Sequence, residues 1–301
     1  MSAVLVESGA DKGAIWHFGE PNKEQKELAA GNAWADLSHR GVLSVTGKDR
    51  LTWLHSLTTQ HLEQLPPAKW VDALILDPQG HVIEQLYLVD DGVTTWIHTE
   101  AVRIAPLLDY LTKMKFMLDV DVKDESSNYA VLRAPGKSDE IGGPYALVPR
   151  DELSETKEAF SKSHTQVGIW ALEALRVSQG RARLLFEVDH KSIPNELGFL
   201  NKSVHMNKGC YRGQETVAKI FNLGNPPRRL VMLHLDGSQV VMPAPGTPVM
   251  NGEVQVGFLG TVARHFELGP IALAVVKRTT PVDAQLTVAD VAASQQVIVP
   301  A

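Results

Sequence analysis

From residue 42 to residue 133 the spacing of apolar positions switches between helical and strand periods. After Asp49, Leu51, Leu54 and Leu57 recur every three positions, which predicts a short helix with Asp49 as its cap. Val71–Leu76 is an apolar run that predicts a strand, closed by the turn residues Asp77, Pro78, Gln79 and Gly80. Residues 82–88 and 93–98 predict two strands joined at Asp90-Asp91-Gly92, a hairpin signal. Thr99 then stands where a cap would, ahead of a helix whose Ala101, Ile104, Leu107, Leu108 and Leu111 share one face. Leu118, Val120 and Val122 alternate with Asp119, Asp121 and Lys123, the pattern of a half-buried strand. Strands in direct succession around two helices predict an antiparallel α+β arrangement and argue against a doubly wound parallel sheet.

Further on, Ile169, Leu172 and Leu175 predict a helix with an inward apolar face, followed by a loop-rich stretch to residue 220. After Arg229 the pattern becomes short strands over 230–235, 246–250, 253–264 and 271–277, with turn signals such as Asn251-Gly252 between them. That spacing predicts a small antiparallel barrel. Pro and Gly clusters at 66–67, 134–144, 222–227 and 243–248 punctuate the chain, and no repeat or low-complexity tract occurs.

The 301 residues suggest about two domains, with three small ones possible. With 44% hydrophobic and 21% charged residues, long disorder is excluded. The net charge of −6 means that the surface as a whole does not attract nucleic acid, so any anion site is local. The single cysteine, Cys210, excludes an intrachain disulfide and any zinc or iron–sulfur site built from several thiolates of this chain. Glu7 and Asp11 precede the first basic residue, Lys12, which is not the start of a secretory signal. The apolar run at 271–276 is too short to span a bilayer. A soluble, reducing, cytoplasmic setting without membrane contact is the expectation.

The most distinctive chemistry lies in Lys208-Gly209-Cys210-Tyr211-Arg212-Gly213-Gln214-Glu215. Cations flanking a thiol favour the thiolate, which suits a nucleophilic or redox role for Cys210. The same pattern also suits a small buried residue in a tight loop. Between 208 and 230, five cations (Lys208, Arg212, Lys219, Arg228 and Arg229) face one acid, Glu215, a local reversal of charge suited to an anionic ligand. No aromatic-interleaved ladder accompanies it, so direct nucleic-acid binding is not expected.

Other signals fail. Gly41 to Lys48 has five residues between its glycines where a P-loop has four, and Asp49 stands where Ser or Thr should follow the lysine; it reads as a turn into a helix. The eleven histidines show no ligand spacing, so no metal site is expected. No G-x-S-x-G elbow is present. Asp36 and His39 suit a capped turn as well as a catalytic pair.

The segment 208–215 resembles the K-G-C-Y-x-G-Q-E signature of the YgfZ folate-binding proteins, relatives of the glycine-cleavage T-protein (aminomethyltransferase) that include mitochondrial iron–sulfur assembly factors. Residues 36–41 and 46–49 resemble the first block of that family. Residues 175–180, 193–198 and 256–274 resemble later ones. The resemblance implies a three-domain, ring-like T-protein-type α+β architecture. Its parts would be a folate-binding core (1–48 plus 150–225), an inserted antiparallel α+β domain (49–149) and a C-terminal β-barrel (226–301). Tetrahydrofolate would bind at the central opening, with Gln85, Asp77, Arg176, Ser178 and Arg228 as candidate contacts.

Two departures separate the chain from aminomethyltransferases. Where the T-proteins carry the aspartate that works on the folate nitrogen, this chain has Gln85, whose amide does not ionise near neutral pH. Where they carry an acid beyond the L-R-x motif, it has Ser178. Glu84 is one position off and would point to the opposite face of a strand. The resemblance therefore implies an accessory protein for assembly or repair of iron–sulfur clusters, and through them for certain tRNA-modifying enzymes, with folate and transient iron–sulfur assembly or client proteins as partners. Cys210 would be its reactive centre, Lys208 and Arg212 the electropositive setting, and Gln214 and Glu215 polar contacts that fix the loop. A folate-dependent one-carbon transferase or demethylase using Asp77 or Glu84, or a folate-sensing scaffold with Cys210 buried, are the competing readings.

Overall fold

A computed structural model describes residues 3–137, 144–238 and 242–300; most of the Pro/Gly cluster at 134–144 lies outside the described residues. The chain divides into two compact units, the first made of 1–76, 83–171 and 201–212, the second of 77–82, 172–200 and 213–301.

In the first unit the strands, in chain order, are β1 (Val4–Leu5), β2 (Ile15–His17), β3 (Ala33–Asp36), β4 (Gly41–Thr46), β5 (Val71–Leu76), all but the first residue of β6 (Val82–Asp90), β7 (Thr94–Thr99), β8 (Asp121–Asp124), β9 (Tyr129–Arg133), β10 (Tyr145–Pro149) and β11 (Thr165–Val167). The helices are α1 (Pro21–Ala30), α2 (Arg50–Leu57), α3 (Ile104–Met114) and α4 (Leu153–Ser161). A five-stranded sheet runs β5-β6-β7-β4-β8 and a four-stranded sheet β10-β9-β3-β11. In these sheets β11 and β3 run parallel, whereas the pairs β10-β9, β9-β3, β6-β7, β7-β4 and β4-β8 are antiparallel. Alternate residues of the larger sheet (Leu43, Val45, Ala73, Ile75, Leu86, Leu88 and Ile97) pack against Trp53, Leu54 and Leu57 of α2 and Ile104, Leu107 and Leu111 of α3. Each such valine, leucine or isoleucine contributes about 1.5–3 kcal/mol by leaving water. The opposite face carries aromatic groups. The ring of His98, fully buried, stacks on Tyr87 with centroids 4.7 Å apart, and Trp70 and Tyr145 meet it edge-on. Both His98 ring nitrogens lack a hydrogen-bond partner among the described residues, and burial together with the charge of Arg40 holds its pKa well below the ordinary histidine value.

The outer edge of β5 is covered from within. Thr59 donates its N–H to the Leu74 carbonyl and accepts the Leu74 N–H on Oγ1, both at 2.9 Å, and the Gln60 amide donates to the Asp72 carbonyl at 3.0 Å.

The second unit holds most of α5 (Ile169–Ser178), then α6 (Gln214–Leu223) and the strands β12 (Arg228–Leu235), β13 (Pro248–Asn251), β14 (Val254–His265), β15 (Gly269–Lys277), β16 (Leu286–Val288) and β17 (Val291–Val297). These six strands close into a barrel in the order β12-β15-β14-β13-β16-β17. Every second residue points inward, as Val231, Leu233 and Leu235 do on β12 and Ala272, Ala274 and Val276 on β15.

Several details differ from the sequence reading. Asp49 occupies the cap position of α2, but its carboxylate accepts the N–H of Asp119 at 2.9 Å and makes no cap bond. Thr99 ends β7 and donates to the Gln85 carbonyl at 2.9 Å; a short 3₁₀ turn, Ala101–Arg103, precedes α3. The strand expected from Leu118 begins only at Asp121, and Leu118 is exposed. In α5 the buried apolar positions are Ile169, Ala171, Ala174 and Val177, while Leu172 and Leu175 are half-buried. Strands β16 and β17 were not expected. The segment 41–48 is β4 followed by the turn into α2, as its failed P-loop spacing implies.

Candidate functional site

The segment 208–213 has Lys208 in the first unit and Gly213 in the second, each held within its own unit. At its start, Lys208 is 6% exposed, and its ammonium donates to the carbonyl oxygens of His55 and Thr58, the latter at 2.5 Å. These carbonyls close α2, where a cation also complements the helix dipole. The same ammonium lies 5.1 Å from the centroid of the Tyr211 ring. Burial, opposed by Glu63, pushes the Lys208 pKa down to about 8, and burial pushes Tyr211 up to about 12.

At its end, Gly213 has φ +80 and caps α6. A Cβ there would stand 2.6 Å from the Asp77 carbonyl oxygen and 2.8 Å from Gly80 Cα. Only glycine satisfies both the left-handed backbone and this approach. Gln214 and Glu215 open α6, where the exposed acid of Glu215 favours the positive end of the helix. Between the two anchors Cys210 is exposed, which excludes a buried packing role for it. Arg212 beside it is also exposed.

The turn that packs on Gly213 is ordered by Asp77. Its Oδ1 accepts the N–H groups of Gln79 (2.9 Å) and His81 (2.8 Å), and its Oδ2 meets His81 Nδ1 at 2.8 Å. Partial burial would raise the Asp77 pKa, but these bonds outweigh it and hold the carboxyl below its usual range. Gln85 is buried on β6, and its neighbour Glu84 is paired with Arg103, with one N···O contact at 2.5 Å. Burial nevertheless raises the Glu84 pKa against the pull of Arg103.

Three of the five cations counted along 208–230 are occupied by tertiary partners, and one of them, Arg228, is paired with carboxylates. Arg228 donates to Asp189 (2.7 and 3.0 Å) and to Glu196 (2.8 and 3.0 Å). Arg229 is buried and bonded to the carbonyls of Arg278 and Thr280, both at 2.7 Å. Lys208 is spent on α2. Of the five cations only Arg212 and Lys219 are exposed. Arg176 is likewise occupied. Its guanidinium nitrogens bond Glu173, Glu187, Thr261 and the Arg181 carbonyl, and Glu187 in turn accepts the backbone N–H of Arg183 and Thr261. Ser178 Oγ turns back to the Leu175 carbonyl at 2.9 Å. Arg176 and Arg228 thus sit in two separate carboxylate networks of the second unit. Asp77 and Gly213 are brought together in that unit, as Lys208 and Tyr211 are in the first.

Asp36 and His39 do not pair. Asp36 accepts the Ser38 N–H at 2.9 Å and binds Lys157 at 2.5 Å, while His39 reaches Asp11 at 2.8 Å.

The sequence reading missed one group altogether. At the C-terminal end of α2, His55 meets His61 edge-on with centroids 4.9 Å apart, and His61 meets His205 at 5.4 Å. Glu63 adds a carboxylate to His55 and His61. Burial first, and then the Lys208 ammonium, lower the His55 pKa. Only the crowding of His55 and His61 within seven residues hinted at this group; their spacing matches no helical ligand pattern.

No family model matches the chain. It is similar, at 25% identity over 90% of its length, to a protein of Arabidopsis thaliana whose name assigns it provisionally to the transferases of the chloroplast, and it covers 73% of that protein. It is 25% identical over 66% of its length to an iron–sulfur cluster assembly factor, a mitochondrial IBA57 homologue of Mycosarcoma maydis, of which it spans 56%. It is 24% identical over 89% of its length to an aminomethyltransferase of Rippkaea orientalis, covering 86% of that protein. Among solved structures, the glycine cleavage system aminomethyltransferase T of Bartonella henselae superposes with a TM-score of 0.80 over 98% of this chain and 92% of that one, at 15% identity. The fold is therefore that of the glycine-cleavage T-protein. Among the described residues no helix is long and apolar enough to cross a membrane.

Proposed function

We propose that the chain is an accessory protein for iron–sulfur cluster assembly or repair, of the YgfZ type, with Cys210 as its reactive group and tetrahydrofolate as its small-molecule ligand. The observation that carries this reading is the exposure of the only thiol on a loop anchored by Lys208 and Gly213. Likeness to an iron–sulfur cluster assembly factor supports it. A single exposed cysteine can lend one ligand to a cluster shared with a client protein or enter a transient redox step; it cannot hold a cluster alone. Links to tRNA-modifying enzymes and a cytoplasmic setting belong to the same proposal.

The fit to folate is uneven. The glutamate tail of a folate needs exposed cations, and Arg212 and Lys219 meet that need while Arg176 and Arg228 are saturated by carboxylates. Bound folate would supply a one-carbon carrier. The buried Gln85 stands where the T-protein resemblance calls for an ionisable acid, and its amide neither takes up nor releases a proton near neutral pH. The second reading, a folate-dependent one-carbon transferase, is favoured by one arrangement only: the Asp77–His81 pair, in which a carboxylate orients an imidazole in the manner of a general base.

One experiment separates these readings. Cys210→Ser and His81→Ala variants are tested for complementation of a strain lacking the endogenous protein and for binding of polyglutamylated tetrahydrofolate. The accessory reading expects Cys210→Ser to abolish complementation with folate binding retained. Loss of complementation with His81→Ala alone, with turnover of an aminomethyl donor by the wild type, would replace it with the transferase reading.

A further inference from the structure

We propose that His55, His61 and Glu63 form a three-ligand site for a divalent transition-metal ion of the zinc or ferrous class, with its remaining coordination open to solvent. One ligand atom from each residue lies within 4.8 Å of the other two. Two imidazoles and a carboxylate are the donor set these metals take when they keep an open position. The fold assembles the set locally. His55 lies in the last turn of α2, and the loop after the helix doubles back so that the Leu62 N–H reaches His55 Nδ1 at 3.2 Å, placing His61 and Glu63 on either side of Leu62 against the same ring. On its far side His61 leans on His205.

Around a tetrahedral ion with bonds of roughly 2.0–2.1 Å, ligand atoms stand about 3.3 Å apart. The three groups must therefore close inward. His55 is buried and fixed, whereas His61 is half-buried and Glu63 exposed, so the closure falls on the two residues with room to turn. The His55 ring gives up the Leu62 N–H bond when it coordinates, because that bond occupies the Nδ1 lone pair and leaves the proton on Nε2. The site is thus one that takes up and releases its ion, in contrast to a closed structural zinc site. It lies beside the Lys208 anchor of the cysteine loop, since Lys208 donates to the His55 carbonyl. The inference is independent of the folate and cluster-assembly reading, and its test contains neither ligand.

The test uses the full chain carrying Cys210→Ser, so that the thiol cannot take the metal. Zn²⁺ is titrated in competition with a chromogenic chelator. One Zn²⁺ per chain is expected. His61→Ala and Glu63→Gln should each weaken binding at least tenfold with an unchanged circular dichroism spectrum, and His190→Ala, on an exposed loop elsewhere, should leave it unchanged. Co²⁺ added to the wild-type chain should give visible ligand-field bands without a thiolate charge-transfer band. Zn²⁺ binding that is equally strong in the His61→Ala and Glu63→Gln chains, no binding to the Cys210→Ser chain, or a thiolate band with Co²⁺ would each overturn the proposal.

Discussion

Lys208 donates to the carbonyl oxygen of Thr58 at 2.5 Å and so ties the start of the cysteine loop to the end of α2. The sequence placed this lysine next to a thiol as an activating charge. In the folded chain its protons go to backbone carbonyls, and Arg212 is the exposed cation closest in sequence to Cys210.

Replacing Lys208 by Met leaves the His55 and Thr58 carbonyls without this donor. Each buried polar group left unmade costs roughly 1–3 kcal/mol, offset in part by no longer burying a charge. A net loss of about 1–2 kcal/mol in urea unfolding is expected, together with faster amide exchange over 209–212. An unchanged midpoint would show that the two effects cancel.

Gly213→Ala forces a Cβ against the Asp77 carbonyl and a left-handed backbone onto alanine. Gly224, at the other end of α6, has φ +67 but nothing within 4 Å of its absent Cβ. Gly224→Ala should cost about 1 kcal/mol from backbone conformation alone. Gly213→Ala should cost clearly more, read as a larger fall in melting temperature. Equal costs would remove the steric part of the account.

The Asp189–Arg228 pair sets an acid limit on the second unit. Burial acts to raise the Asp189 pKa, but the bonds from Arg228, Ser192 and Lys191 bring it to about 2. A depressed carboxyl pKa contributes stability above the unfolded value near 3.8 that is lost as pH falls through the folded value. Asp189→Asn should therefore cost about 1–2 kcal/mol at pH 7, after allowance for its partial exposure, and the gap from wild type should close between pH 4 and pH 2. A gap independent of pH would point to lost packing instead.

His98 gives a second pH dependence of different form. Its folded pKa lies well below the unfolded value near 6.5, so unfolding at acidic pH takes up a proton and stability falls as pH drops below about 6.5. His98→Phe keeps the stack on Tyr87 and removes two unpartnered nitrogens. The variant should lose this acid sensitivity and be more stable than wild type at pH 5, measured by denaturant midpoint. A less stable variant at pH 5 would mean that phenylalanine does not fit the space.

Elements with strong local punctuation were legible in the sequence. Strand β5 spans Val71–Leu76 as read, because Asp77-Pro78 ends it. β16 and β17 were not legible. One has three residues, and the other mixes Ser294, Gln295 and Gln296 among its small apolar positions, so only pairing with neighbours on both sides makes them strands. In the site, glycines and a lone cysteine announced the loop. The charge count misled because the carboxylates that neutralise Arg228 lie 32 and 39 residues upstream, beyond any local window. His55, His61 and Glu63 escaped notice because a backbone N–H folded onto a ring, and no helical repeat, brings them together.

The Thr59 and Gln60 bonds along the edge of β5 reach beyond that strand. Partners often join a protein by adding a strand of their own to a free sheet edge, and aggregation follows the same route. Here the closed barrel has no edge to offer, and β5 has its outward carbonyls at Asp72 and Leu74 already taken by its own chain. At the far side of that sheet, β8 reads Asp-Val-Lys-Asp with three exposed charges, a poor template for a visiting strand. Recruitment of another protein to the barrel or to this sheet must therefore be written in side chains and loops, where it can be brief and reversible.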